Sequence, residues 1–247
     1  MTIAIVYFAS TALAGETISW RRLVPGNTGI PGDTCSFVWI DEQDRPWVAA
    51  FTQTIWGEFH GGLGYHDGDH WNAISNVDHP QITSPVFNDM ARDQNGILWI
   101  ATDSGLLRLD RAAGPEAMIR YDHTNTPMLA SQIGDIAIAP DNTIWLAIHD
   151  VDSVPNGSLA HFNPATNSWQ VWTTANGLPW GSTWPGWNWI DHVAIVPDSG
   201  GGGSYTVWFT QQELGTGTYR DGQFTWFGYL PDIIALDPPV PFRILLR

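Results

Sequence analysis

Two glutamates and four tryptophans are the residues of this chain whose types and placement could do chemistry. Glu58 and Glu213 each fall between the second and third strands of a predicted four-stranded unit, so one could act as acid and the other as base or nucleophile, the carboxylate pairing that glycoside hydrolysis needs. Trp56, Trp180, Trp184 and Trp187 sit in Gly- and Pro-rich stretches, where an indole face could stack on a sugar ring or a partner surface. His149 and Asp150, with Asp152 two residues on, put an imidazole beside hard oxygen ligands. Their spacing matches neither a calcium loop nor a zinc site with enough ligands, so neither a metal nor a cofactor is expected. Neither Gly-x-Ser-x-Gly nor His-Glu-x-x-His occurs. Cys35 is the single cysteine and reads as a small buried hydrophobe beside a strand. The other histidines, His60, His66, His70, His79, His123, His161 and His192, are scattered; His66 and His161 fall at similar third-strand positions, which favours a repeat role.

Composition removes whole classes of function. The 247 residues carry a formal charge of −15, with 25 Asp plus Glu against ten arginines and no lysine. Such a surface repels phosphate backbones and anionic lipid, so nucleic-acid binding and polybasic anchoring are not expected. Schiff-base and Walker-type lysine chemistry is excluded outright. No stretch approaches the roughly 20 apolar residues of a membrane-spanning helix.

The elements that must position the candidate residues come from an internal repeat. Trp47, Trp99, Trp145 and Trp208 each sit in an apolar strand: Arg45-Pro46-Trp47-Val48-Ala49, Ile97-Leu98-Trp99-Ile100-Ala101, Thr143-Ile144-Trp145-Leu146-Ala147 and Thr206-Val207-Trp208-Phe209-Thr210. Their spacings of 52, 46 and 63 residues are near the length of one four-stranded propeller blade. Before each comes an apolar run ending in an Asp turn, at 37–41, 89–93, 135–141 and 192–198, which reads as strand then hairpin. After each comes a strand entered through glycine, at Gly62, Gly105, Gly157 and Gly215, and then an aromatic or apolar fourth strand. The linkers Asn27-Thr28-Gly29-Ile30-Pro31, Asn125-Thr126-Pro127-Met128 and Asn176-Gly177-Leu178-Pro179 recur between units.

The run Asp93-Gln94-Asn95-Gly96-Ile97-Leu98-Trp99-Ile100-Ala101-Thr102-Asp103-Ser104-Gly105-Leu106 resembles the two-component-regulator propeller repeat, whose pattern is Asp-x-x-Gly-x-Leu-Trp-Ile-x-Thr-x-x-Gly-Leu followed by an aromatic strand and an Asn-Ser-Gly-Leu-Pro-like linker. The match is strong in the second unit and fair in the others. The fourth departs most, with glycines at 200–203 where a short turn belongs. The resemblance implies an all-β propeller that is commonly extracytoplasmic and commonly the sensing portion of a signalling protein. It carries over no catalytic residue.

Four complete blades of four antiparallel strands are therefore expected over about residues 33–230, with a partial or composite fifth. Residues 18–23 read as a last strand and 232–237 as a first strand, so the two ends could close a ring of five, or the chain is a piece of a larger propeller. Residues 1–14 read either as a truncated signal peptide, with Ala12-Leu13-Ala14 as the cleavage motif, or as an extra strand; residues 15–247 form one propeller domain.

In propellers generally, the second-to-third-strand loops and the linkers share one face. Measured against the second unit, most of the extra sequence falls there: 52–61, 149–156 and 180–188. Loops on a rigid scaffold concentrate binding residues. Trp56, His60, His149, Asp150, Trp180, Trp184 and Trp187 are accordingly the expected contacts for a small molecule, glycan or protein. Trp20, Trp47, Trp71, Trp99, Trp145, Trp169, Trp208 and Trp226 occupy repeat positions and should pack between blades, and Trp39, Trp172 and Trp189 lie on or beside strands. The functional expectation is a noncatalytic ligand- or partner-binding module in an extracytoplasmic sensory or scaffold role. The alternative is a secreted carbohydrate-active or lyase-type propeller enzyme using Glu58 and Glu213.

Overall fold

The computed structural model describes residues 23–55, 57–149, 157–178, 189–198, 203–211 and 215–227. Trp56, Asp150, Trp180, Trp184, Trp187 and Glu213 lie outside the described residues, as do both chain ends with their expected signal peptide or strand and fifth blade. The described residues form two compact units: one runs to Thr126 and takes in Ser131–Ile136, the other comprises Pro127–Ala130 and the chain from Ala137 onward.

Sixteen described strands make four sheets of four, each in sequence order. The first sheet is β1 (Thr34–Ile40), β2 (Pro46–Gln53), β3 (Phe59–His66) and β4 (Trp71–Ser75); the second is β5 (Phe87–Arg92), β6 (Leu98–Thr102), β7 (Gly105–Leu109) and β8 (Ile119–Tyr121). The third is β9 (Ile133–Ile138), β10 (Ile144–Ile148), β11 (Ser158–Asn163) and β12 (Ser168–Trp172); the fourth is β13 (Ile190–Pro197), β14 (Tyr205–Gln211), β15 (Gly215–Arg220) and β16 (Gln223–Trp226). These are the propeller-like blades that the repeat predicts. A one-turn helix α1 (Pro25–Thr28) precedes the first sheet.

Burial explains why the second strand of each repeat reads as a continuous apolar run. Every residue of β6 and of β10 is buried, because blade faces are covered on both sides. In the first unit, Trp47, Leu63, Phe87, Leu98, Ile100 and Leu107 meet in one core between the first and second sheets. In the second unit, Trp145, Leu159, Trp172, Ile190, Val207 and Phe209 form the corresponding core. Of the described repeat tryptophans, Trp47, Trp99 and Trp145 are at most 3% exposed, whereas Trp169 and Trp208 are half-buried and stack within their own blades, on Phe162 at 4.0 Å and Phe227 at 5.4 Å.

Side-chain hydrogen bonds account for the repeated polar residues. In the β5–β6 hairpin, Asp93 Oδ1 accepts the amides of Asn95 and Ile97 while Oδ2 accepts the Trp99 indole N–H at 3.0 Å. In the linkers, Asn125 Oδ1 accepts the Asp122 amide and its Nδ2 donates to the Arg120 carbonyl; Asn176 repeats this with the Thr173 amide and the Val171 carbonyl. Both motifs satisfy backbone groups at turns that no strand can pair.

Two sequence expectations shift. Strand β3 starts at Phe59, three residues before the expected Gly62, because Gln53 pairs with Phe59 and Thr52 with His60, and Phe51 packs edge-on against Phe59 at 5.7 Å. The pairing of β2 with β3 thus continues to the hydrogen bond from the Thr54 amide to the Glu58 carbonyl, where a long loop was expected. The positions of His66 and His161 are also not equivalent: Trp145 pairs with His161, but Trp47 pairs with Tyr65. A one-residue offset in a strand changes the face a side chain occupies. Tyr65 and His161 each stack on their repeat Trp at 4.5 Å, whereas His66 meets Trp71 edge-on.

Candidate functional site

The site with the most chemistry among the described residues lies within the first unit, between its first two sheets. It is built from the β1–β2 turn and the turn that follows β7, which occupy the end of the blades opposite the second-to-third-strand loops. Asp41 ends β1, and its side chain is fully buried. Its Oδ1 accepts the amides of Gln43 and Arg45, both at 2.9 Å, which folds the turn with Asp44 at φ 57°. Its Oδ2 accepts Arg45 Nε at 2.8 Å, the Trp47 indole N–H at 3.4 Å and Arg111 Nη1 at 3.4 Å. Burial alone would push the Asp41 carboxyl up, but the Arg45 guanidinium, the Arg45 and Gln43 amides and the Trp47 indole together hold it down at about 2.

Arg111 comes from the other side. Asp110 Oδ1 accepts the Ala112 amide at 3.0 Å, and Gly114, at φ 84°, donates its amide to the Asp110 carbonyl, so the chain turns sharply and presents Arg111 at its apex. The Arg111 Cζ lies 5.6 Å from the Trp47 ring centroid, within cation–π range. Trp47 in turn stacks on Tyr65 with an interplanar angle of 15°. These groups line a cavity of about 160 Å³ together with the apolar Ile74 and Leu109 and with Gly114 and Pro115.

The sequence carried a signal for this site that aromatic counting misses. Two residues before the repeat Trp stand Arg45, Ile97, Thr143 and Thr206, so only the first repeat has a cation there. By strand register, Arg111 stands where the other repeats have Gly68, Pro164 and Asp221. Both arginines are departures from the repeat, placed on facing sides of one cleft.

A second feature of the first unit is a carboxyl pair. Asp89 and Asp135 each lie ten residues before a repeat Trp, where the first repeat has Phe37. Burial, together with the Asp135 side chain hydrogen-bonded to it, pushes Asp89 up to about 7; the Ile136 amide donates to Asp89 Oδ2 at 3.3 Å. A third feature is a shallow dish of about 480 Å³ where the α1 turn faces His66, His70 and Trp71.

Of the residues expected as contacts, His60 and His149 are described, one in each unit. His60 is on β3, half exposed, with Nε2 3.7 Å from Glu58, itself 70% exposed. His149 follows β10 in the other unit, where it stacks on Trp189 at 5.2 Å and lies 4.0 Å from Asp191. Among the described residues, no group of three or more His, Cys, Asp or Glu is placed to hold a metal ion, and no helix is long and apolar enough to cross a membrane.

Residues 81–104 match the family model described as two component regulator propeller. No curated protein matches the chain. Among solved structures, the chain is similar to the extracellular domain of BT3049 from B. thetaiotaomicron, described as a hybrid two component system, at 16% identity and a TM-score of 0.60 over 85% of this chain and 24% of that one. It is also similar to the extracellular domain of BT4673 from the same organism, described as a one component system, at 12% identity and a TM-score of 0.50 over 89% of this chain and 33% of that one. The chain thus spans about a quarter to a third of the length of those structures. At such identities the likeness is one of fold, and the fold is propeller-like.

Proposed function

We propose that this chain is a noncatalytic ligand-binding propeller module with an extracytoplasmic sensory role. The observation that carries the reading is the cleft of the first unit, where two arginines that break the repeat converge over a stacked Trp47–Tyr65 pair. A few convergent polar groups over an apolar floor is the usual make-up of a small-molecule site. The sensory and extracytoplasmic parts are supported by the matched repeat and by the fold shared with extracellular domains of signalling systems. Trp56, Trp180, Trp184 and Trp187, with His60, His149 and Asp150, remain proposed partner contacts on the strength of the sequence.

The test is a thermal-shift and calorimetric screen of small organic acids, neutral mono- and disaccharides and uronates, with a glycan array on the wild type and on Trp184→Ala and Trp187→Ala. Saturable binding of one class without turnover supports the reading. Hydrolysis of aryl glycosides that is lost in both Glu58→Gln and Glu213→Gln would replace it with the glycosidase alternative.

A further inference from the structure

We infer that the cleft between the first two sheets is a binding site for a small monocarboxylate with a flat apolar body, a single-ring aromatic acid being the best fit. The inference rests on the ligand-binding reading above and names the ligand class of that same site.

Charge sets the valence. Arg45 and Arg111 bring two positive charges to the lining, Asp41 pairs with both, and Glu42 and Asp67 act on them electrostatically, so one anionic group can be met by Arg111 while a second would face carboxylates. A dianion would bring its second charge toward the buried Asp41 carboxylate with no third cation in the lining to meet it.

Donor geometry sets the group. Arg45 is committed: Nε and Nη2 go to Asp41, and Nη2 also donates to Gln43 Oε1 at 2.7 Å. Arg111 contributes only Nη1, at 3.4 Å, to Asp41, which leaves its Nε and Nη2 edge without a hydrogen-bond partner among the described residues. A guanidinium edge presents two parallel N–H donors, the spacing that a carboxylate accepts with both oxygens. The Tyr65 hydroxyl, on the same cavity wall, is also without a hydrogen-bond partner among the described residues.

Size and lining set the body. A cavity of about 150 Å³ is enough to take a benzene ring, and this one measures about 160 Å³, with Ile74 at 5% exposure and Leu109 at 1% among its lining residues. A sugar of that size would leave hydroxyl groups facing aliphatic carbon. Because Asp41 stays ionised well below neutrality, the cradle's charge is constant from about pH 5 to 8, and binding should follow the ionisation of the ligand alone.

The experiment is calorimetric titration of the whole chain with sodium benzoate, with benzamide and benzyl alcohol as uncharged counterparts and isophthalate as the dianion, repeated on Arg111→Gln. Arg111 is 30% exposed with one long hydrogen bond, so its replacement should leave the fold intact, and a circular dichroism melt within a few degrees of wild type checks this. Benzoate should saturate one site, benzamide and isophthalate should bind at least tenfold more weakly, and Arg111→Gln should lose at least about tenfold in affinity, the worth of one charge-assisted hydrogen bond. Benzoate binding that is unchanged in Arg111→Gln overturns the site. Failure of benzoate alongside saturable binding of a neutral sugar overturns this inference and leaves the proposed function standing. Failure of every ligand class overturns both.

Discussion

The Trp99 indole N–H donates to Asp93 Oδ2 at 3.0 Å, with both residues at most 3% exposed. That bond ties the first hairpin of the second blade to the residue on which the blade packs. Asp93 also satisfies two backbone amides, so its loss leaves three buried or half-buried donors unpaired. Asp93→Ala should therefore destabilise the fold by about 2–4 kcal/mol, measured as a lower urea midpoint at unchanged slope. Asp93→Asn, which keeps one acceptor oxygen, should cost less than half of that.

Gly105 opens β7 at φ 130°, and a Cβ there would fall on the carbonyl oxygen of Tyr121 in β8. Gly96 has a comparable φ of 84°, but its nearest neighbour is the movable Arg92 guanidinium at 3.3 Å. Gly105→Ala should cost more than about 2 kcal/mol and Gly96→Ala about 1 kcal/mol, because only the first adds a clash with fixed backbone to the conformational strain. Parallel denaturant melts of the two variants give the comparison.

Asn176 makes one hydrogen bond to the Thr173 amide at 2.6 Å and one to the Val171 carbonyl at 2.9 Å, closing the linker after β12. Asn176→Ala should lower stability by about 1–2 kcal/mol. Asn176→Asp keeps the acceptor, loses the donor and should fall between the two. Hydrogen exchange at the Thr173 amide should speed up in the alanine variant and stay slow in the aspartate one.

Asp89 and Asp135 predict an uncommon pH slope. Asp89, raised to about 7 by burial and its carboxyl neighbour, keeps its proton in the folded chain between about pH 4 and 7, while the unfolded chain releases it above about 4. The folded state binds more protons across that window, so stability falls as pH rises through it and levels off above about 7. Asp41 acts in a different window: its folded value near 2 gives stability that is present above about pH 4 and lost as pH falls toward 2. Thermal melts from pH 5 to 8 should show the decline in the wild type and a flatter curve in Asp89→Asn. A wild-type curve that rises over this range would count against a protonated Asp89.

Much of the fold was legible because the repeat writes the same strand-and-turn pattern four times. The spacing of Trp47, Trp99, Trp145 and Trp208, with an Asp turn before and a glycine-entered strand after, predicts four-stranded blades, and the described residues form four such sheets. Hairpin turns and linkers are local, so Asp93 and Asn176 can be read within six residues of their partners. Strand ends were less legible. The start of β3 at Phe59 depends on how far pairing with β2 continues, and the non-equivalence of His66 and His161 depends on a register that alternation alone leaves one residue free.

The cleft belongs to the other category. Sequence by itself determined that Arg45 and Arg111 break the repeat, since neither position holds a cation in any other blade. Tertiary structure decided that the two, separated by 66 residues, meet at one buried carboxylate over Trp47, because the first-to-second and third-to-fourth turns of neighbouring blades open at the same end of the sheets. The packing of one blade on the next is a long-range arrangement that no local pattern encodes, and in this protein it turns two isolated arginines into a site.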